Sequence, residues 1–394
     1  MGRGMKTRII VGIFCVFLCP GVGWGAFQLT PEITQLLLTG IDHLANLDYA
    51  EARRVFRHID SLPGGDLLSP FLEGVVEMDE AFQEDRQEQE VKKILDRFLD
   101  RVKPVLAHGE KLLTVTPDDP DLLLSLGTVW GTKAAVDRVR KNYFAAHRGI
   151  RESHRLLTRS LEVAPDRVDA LWMLGLYDYV VSRVPALLKP FVSLVLPSAG
   201  GRDRGIERLE RVAREGTVAQ VPARVALVRI LSGWEQKFAQ ALPHAEILAT
   251  RNPGNPEFLF LLAFLYSETQ QAREALVVAE KIRSAVEQGR PHFPPEITPR
   301  YLQLRGKIAM DAGAYEEALG FFRQAIAAQN SKYTWITAWA HTRTGMIYDL
   351  LKDRGKAIEA YQRALGIEGG GLAHESAERY LSVPYRGRDG ERRG

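Results

Sequence analysis

His147 and His154 stand seven residues apart, a spacing that brings two imidazoles to one face of a helix. A metal ion held there would need a third ligand, and Asp137 or Glu152 would have to bend towards the pair. Two histidines without that third donor are expected to be solvated side chains. Ser198-Ala-Gly200-Gly201-Arg-Asp-Arg-Gly205 is the nearest approach to a phosphate loop, because small residues open a helix whose free amides attract anions. It lacks the Lys-Ser or Lys-Thr step of a nucleotide loop, so a flexible joint is the expected role. His374-Glu375 fits no zinc-hydrolase spacing, and Glu316-Glu317 reads as a solvated turn. The chain contains no Gly-x-Ser-x-Gly, no His-Glu-x-x-His and no paired carboxylates isolated among apolar residues. Both cysteines, Cys15 and Cys19, lie in the first 26 residues. The rest of the chain therefore offers no thiolate ligand, cysteine nucleophile or disulfide. Catalytic residues, cofactors and metals are all expected to be absent.

Hydrophobic residues make up 45% of the 394 and charged residues 26%, enough apolar side chain for a sizeable core. The net charge of +3 comes from Arg3, Lys6 and Arg8, the only charges before Phe27. Without them, basic and acidic residues balance at 49 each. A neutral body argues against nucleic acid as a partner, since that binding rests on an excess of Lys and Arg facing phosphates.

Those three basic residues precede an apolar run from Ile9 to Cys19, broken by Pro20 and Gly21. The run is short for a membrane span and matches the core of a secretory signal. Cleavage is expected after Gly25 or Ala26. An uncleaved anchor extending through Trp24 to Phe27 is the alternative. Lipidation of Cys19 is disfavoured by the bulky Leu18 before it. Residues 1–26 are thus expected to be a signal peptide or anchor, and the chain to be exported to a bacterial periplasm or secreted, with inner-membrane anchoring as the alternative.

The body is expected to be helical. Leu122, Leu123 and Leu126, and Leu156, Leu157 and Leu161, fall on single helix faces. Asp118-Asp-Pro120-Asp121 and Asn252-Pro253-Gly-Asn-Pro256 carry the Asp, Asn and Pro that begin helices. Small residues recur with a fixed period: Gly40 to Gly74 and Ala241 to Ala275 are each 34 positions apart. In the middle, Gly74 to Gly127 is 53 and Gly127 to Gly175 is 48, which predicts lengthened helices there.

The stretch Gly306-Lys-Ile-Ala-Met-Asp-Ala-Gly313-Ala-Tyr315-Glu-Glu-Ala318-Leu-Gly-Phe-Phe322-Arg-Gln-Ala325 resembles the second two-thirds of a tetratricopeptide repeat. Gly345, Tyr348, Ala357, Tyr361 and Ala364 repeat its phase. Ala263, Tyr266, Ala275 and Ala279 do so upstream, and Gly40, Tyr49, Ala52 and Phe56 at the front. The expected fold is all-α: a tetratricopeptide-like α-solenoid of about eight antiparallel helix hairpins over 27–385, forming a curved superhelix, with an apolar insertion at 180–204 and a disordered basic tail at 386–394. Small residues are needed where paired helices cross, and the repeat positions Gly40, Ala52, Gly127, Gly175, Ala275, Gly306, Ala318, Gly345 and Ala357 are assigned to such places. Phe322 is assigned to the wedge between successive hairpins.

The resemblance places ligand contacts on the first helix of each hairpin. It implies a groove carrying Trp172, Tyr179, Phe260, Phe264, Arg300, Lys307, Trp339 and Met346, suited to a peptide or protein with apolar anchors and a carboxylate end. Core positions for Trp172 and Phe260 stay open beside this reading, because a one-position phase error exchanges groove and core. The expected function is a non-catalytic interaction scaffold, serving assembly in an envelope or secretion machine. A membrane-anchored accessory subunit is the alternative, with an enzyme or small-ligand carrier behind it. A peripheral membrane contact through the apolar 180–197 segment, and an oligomer, are compatible with either scaffold reading.

Overall fold

The computed structural model describes residues 27, 29–83, 87–185, 200–328 and 333–387. Among them are seventeen α-helices and no strand. The contacts divide the chain into two compact units that meet in sequence at Glu235 and Gln236. The leader, the centre of the 180–204 insertion and the end of the basic tail lie outside the described residues.

The first unit holds α1 (Pro31–Ala45), α2 (Tyr49–Asp60), α3 (Ser69–Gln83), α4 (Glu88–Val115), α5 (Pro120–Val139), α6 (Tyr143–Val163), α7 (Leu171–Ser182), α8 (Arg202–Glu215) and α9 (Gln220–Arg229). A π-helical turn, Ile230–Trp234, follows α9. The second holds α10 (Phe238–Arg251), α11 (Pro256–Glu268), α12 (Ala272–Glu287), α13 (Thr298–Asp311), α14 (Tyr315–Ala327), α15 (Thr334–Leu350), α16 (Arg354–Leu365) and α17 (Leu372–Ser382). Neighbours in sequence pack as antiparallel hairpins: α1/α2, α3/α4, α5/α6 and α7/α8 in the first unit, α11/α12, α13/α14 and α15/α16 in the second. Helix α9 packs on α8, α10 on α11, and α17 on α15 and α16. Among the described residues each unit is thus an all-helical, solenoid-like array of hairpins. Seven lie within the units, and α9 and α10 stand on either side of the division.

Local sequence explains where these helices begin. Thr30, Asp119 and Asn255 each accept a hydrogen bond from a first-turn amide, and each precedes a proline at the first helical position. The cap satisfies an orphan donor, and the proline lacks the donor that would otherwise be orphaned. Five turns inside hairpins share one geometry. Leu47, Lys141, Gln270, Gly313 and Lys352 all have positive φ, from 62° to 78°. In each case the next residue's amide reaches back to a carbonyl five positions earlier, as in Asp48 to His43 and Asp353 to Tyr348, both 2.8 Å. This satisfies the last carbonyls of the first helix. Only Gly313 relieves the strain of that φ by its lack of a side chain.

In three hairpins, α1/α2, α13/α14 and α15/α16, the crossing is a glycine filled by an aromatic ring. A β-carbon on Gly40 would stand 2.1 Å from Phe56, on Gly306 2.5 Å from Phe322, and on Gly345 2.5 Å from Tyr361. All three rings are fully buried, and each is 16 positions after its glycine. Burying one such ring contributes on the order of 1.5–3 kcal/mol. Phe322 therefore fills a slot in its own hairpin, where a missing side chain leaves space one ring deep, and it shares a core with Ala340 and Ile347 of the next. Ala52, Ala275, Ala318 and Ala357 are fully buried as well.

The long middle spacings are long helices. Helix α4 has 28 residues, α5 20 and α6 21. A β-carbon on Gly127 would meet Leu157 at 2.7 Å, and one on Gly175 would meet the Gly205 carbonyl at 2.9 Å. Helices α7 and α8 are also tied by charge, since Arg204 and Arg208 both donate to the fully buried Asp178 at 2.7–2.8 Å.

Candidate functional site

In the second unit the first helices of successive hairpins, α11, α13 and α15, pack directly on one another. Their shared face carries alternating rings and cations. The Arg300 guanidinium lies 4.1 Å from the Phe260 ring centroid and 5.6 Å from that of Trp335. It also donates to both carboxylate oxygens of Glu257. One turn along, the Lys307 ammonium is 5.2 Å from the Phe264 ring, and further on Arg343 lies 4.7 Å over Trp339. Cations on ring faces are attracted by the ring quadrupole, and more strongly where water is excluded.

The exposed and covered members of this row differ. Phe260 and Lys307 are buried, whereas Phe264, Arg300, Trp335, Trp339 and Met346 are half-buried. Lys307 is held by Asp311 at 2.5 Å and Glu268 at 2.7 Å, and it donates to Ser267 Oγ at 3.3 Å. Its charge is engaged inside the wall. A visiting chain would therefore meet rings, a thioether and neutralised ion pairs.

The six sequence-assigned groove residues of this unit lie on these three helices, with Phe260 against Arg300 and Phe264 against Lys307. The other two lie in the first unit and are covered. Trp172 is 4% exposed and Tyr179 fully buried. Tyr179 stacks on Trp234 with centroids 5.5 Å apart, and its hydroxyl donates to Glu235 at 2.6 Å. Burial pushes the Tyr179 hydroxyl pKa above its usual range. Glu235 also pairs with Arg202.

Trp335, Arg343 and Glu257 belong to the face and escaped the sequence reading. Trp335 lies one turn before Trp339, which was a usable signal. Arg343 and Glu257 gave none, because their roles depend on which helices become neighbours.

The titrating groups elsewhere are structural in placement. Asp79, on α3, is buried and accepts from the Tyr49 hydroxyl at 3.2 Å. Burial raises its pKa to about 7, against the opposing pull of that hydrogen bond and of Arg229. Asp121 is raised to about 6 by burial, opposed by Arg167 at 2.9 Å. The amides of Phe27 and Leu29 reach Asp119 and Asp121 respectively, so the segment before α1 is fastened to the start of α5. His154 packs edge-on against Tyr177 at 5.3 Å, and burial lowers its pKa. Among the described residues no group of three or more His, Cys, Asp or Glu side chains could hold a metal ion.

Second helices of the hairpins splay and leave two clefts. One, of about 730 Å³, is lined by charged residues of α4 and α6, among them Glu110, Arg148, Glu152 and Arg155. The other, of about 580 Å³, lies between α10 and α12 near Val277 and Lys281. No helix among the described residues is long and apolar enough to cross a membrane. Of the 180–204 insertion, residues 186–199 lie outside the described residues. Val180, at its start, is half exposed.

Residues 340–369 match the tetratricopeptide repeat family model. That stretch contains most of α15 and all of α16. No match is found among curated proteins. Among solved structures, yeast Tom70 is similar with 11% identity, covering 92% of this chain and 86% of that one at a TM-score of 0.34. A human IFIT1 dimer with PPP-AAAA gives 14%, 90%, 86% and 0.38. A Rap protein complexed with competence and sporulation factor gives 13%, 91%, 81% and 0.33.

Proposed function

We propose that this chain is a non-catalytic interaction scaffold, and that the α11–α13–α15 face takes a peptide or protein segment with apolar side chains. The observation that carries this is Arg300, fixed between Phe260 and Trp335 while paired to Glu257. The wall is built before any ligand arrives, so little ordering cost falls on binding. Its half-buried rings Phe264, Trp335 and Trp339, with Met346, are the residue types that anchor interfaces. Because Lys307 is already neutralised by Asp311 and Glu268, apolar anchors suit this face better than a terminal carboxylate.

Capture of envelope proteins by the intact chain, compared with its Trp339→Ala variant, tests the reading. The variant should lose captured partners while its unfolding midpoint stays near that of the parent. Equal capture by both proteins would remove this face from the account.

Export belongs to the same reading and rests on the leader: three basic residues, then eleven apolar ones ending at Pro20. Sequencing the N-terminus of protein isolated from its source should give a start at or next to Phe27. An intact leader in the membrane fraction would favour the anchored alternative.

A further inference from the structure

Tyr143 and Phe144 open α6 side by side and are 67% and 87% exposed. At the first of these positions other hairpins tuck their tyrosine in, whereas the second is exposed elsewhere too but carries no ring there, being Ala50 or Glu316. Tyr49 is half-buried and reaches Asp79, and Tyr315 packs against the core of its unit. Helix α5 runs further past its first small position: six residues separate Gly40, Gly306 and Gly345 from the caps that end their own helices, Asn46, Ala312 and Leu351, whereas thirteen separate Gly127 from Arg140. Close approach to α6 continues along that length, since a β-carbon on Gly149 would stand 2.9 Å from Ala134.

The tip formed by this turn is basic. Phe144, Arg148 and Arg151 occupy positions i, i+4 and i+7 of α6, hence one face, and all are exposed. Arg138 and Lys141 are exposed on the other side of the turn. No acidic residue occurs from Arg138 to Arg151. Of the acids on and around the tip, Asp137 is buried with Lys133, Glu152 pairs with Arg155, and Asp96 of α4 pairs with Arg140. In sequence, the stretch leading into and opening α4 carries Glu84, Asp85, Glu88 and Glu90 with Arg86, Lys92 and Lys93.

We propose that this tip docks the chain on an anionic phospholipid bilayer. Tyr143 and Phe144 enter the headgroup boundary, where aromatic rings are favoured, and Arg138, Lys141, Arg148 and Arg151 meet lipid phosphates. Each basic side chain near an anionic surface adds to the attraction. Two exposed rings present far less than the roughly 800 Å² per partner of an ordinary protein interface. Two rings and four cations combine buried apolar area with attraction to anionic lipid, the two contributions that set interfacial binding strength.

The test uses the full chain, with hydrogen exchange read residue by residue so that the apolar leader does not dominate the signal. The amides of Tyr143 and Phe144 lie in the first helical turn, without intrahelical acceptors, and exchange freely. With vesicles of phosphatidylcholine and phosphatidylglycerol at 7:3, their exchange should slow about tenfold, and with phosphatidylcholine alone it should not change. Tyr143→Ser/Phe144→Ser should lower partition onto the mixed vesicles about tenfold, as expected for losing a buried aromatic pair. Arg148→Glu/Arg151→Glu should do the same and abolish the lipid selectivity. Unchanged exchange at 143–144, equal slowing on both vesicles, or slowing only when a protein fraction is added would overturn the proposal.

Discussion

Phe322 occupies the space that a β-carbon on Gly306 would need, its Cε1 only 2.5 Å from where that atom would stand. The same slot recurs between Gly345 and Tyr361, so close helix crossing is fixed by a glycine and a ring sixteen residues later. Gly306→Ala should therefore destabilise the second unit by about 1–3 kcal/mol, the usual cost of overpacking. Gly320, inside α14, has open space where its β-carbon would go. Gly320→Ala should stabilise by about 0.5–1 kcal/mol, because only the entropy of the unfolded chain changes. Urea denaturation of the two variants should shift the midpoint in opposite directions.

Lys307 is 4% exposed between Glu268 and Asp311. Replacing it with Met leaves two covered carboxylates without their counter-charge. A loss of about 3–5 kcal/mol is expected, as for other broken buried pairs. Lys307→Met unfolding at the parent's denaturant midpoint would contradict the placement of this ammonium inside the wall.

Asp79 gives the first unit a pH dependence of known sign. Its pKa is about 7 in the fold against 3.8 as a free group. A raised carboxyl pKa contributes stability that is complete below the free value and is lost as pH rises through the folded one. Asn resembles the protonated acid and can still accept from Tyr49. Asp79→Asn should be more stable than the parent by roughly 1–3 kcal/mol at pH 8. The gap should shrink towards pH 5, and a gap that widens on acidification would refute the assignment.

The small positions and helix starts were legible in the sequence because both are local. Gly306 and Phe322 belong to one hairpin, and Asp119-Pro120 caps its own helix. The long middle spacings likewise read correctly as long helices. Trp172, by contrast, sits near the first unit's interior because α7 is packed on α8 and α9. Repeat phase alone does not report that packing. Lys307 has one local partner, Asp311 four residues on, but the second, Glu268, lies 39 positions upstream on another helix. The Tyr179 hydroxyl is 56 positions from the Glu235 carboxylate it meets. Such pairings exist only after helices from separate hairpins have been stacked.

The central claim is that the α11–α13–α15 face is the occupied one. Photocrosslinking from a benzoylphenylalanine at position 339, compared with one at the 53% exposed Val277 of α12, tests it most directly in the intact chain. Adducts should form from 339 in envelope fractions and disappear when Trp335→Ala is added. Adducts from 277 alone would put the binding surface on the opposite helices.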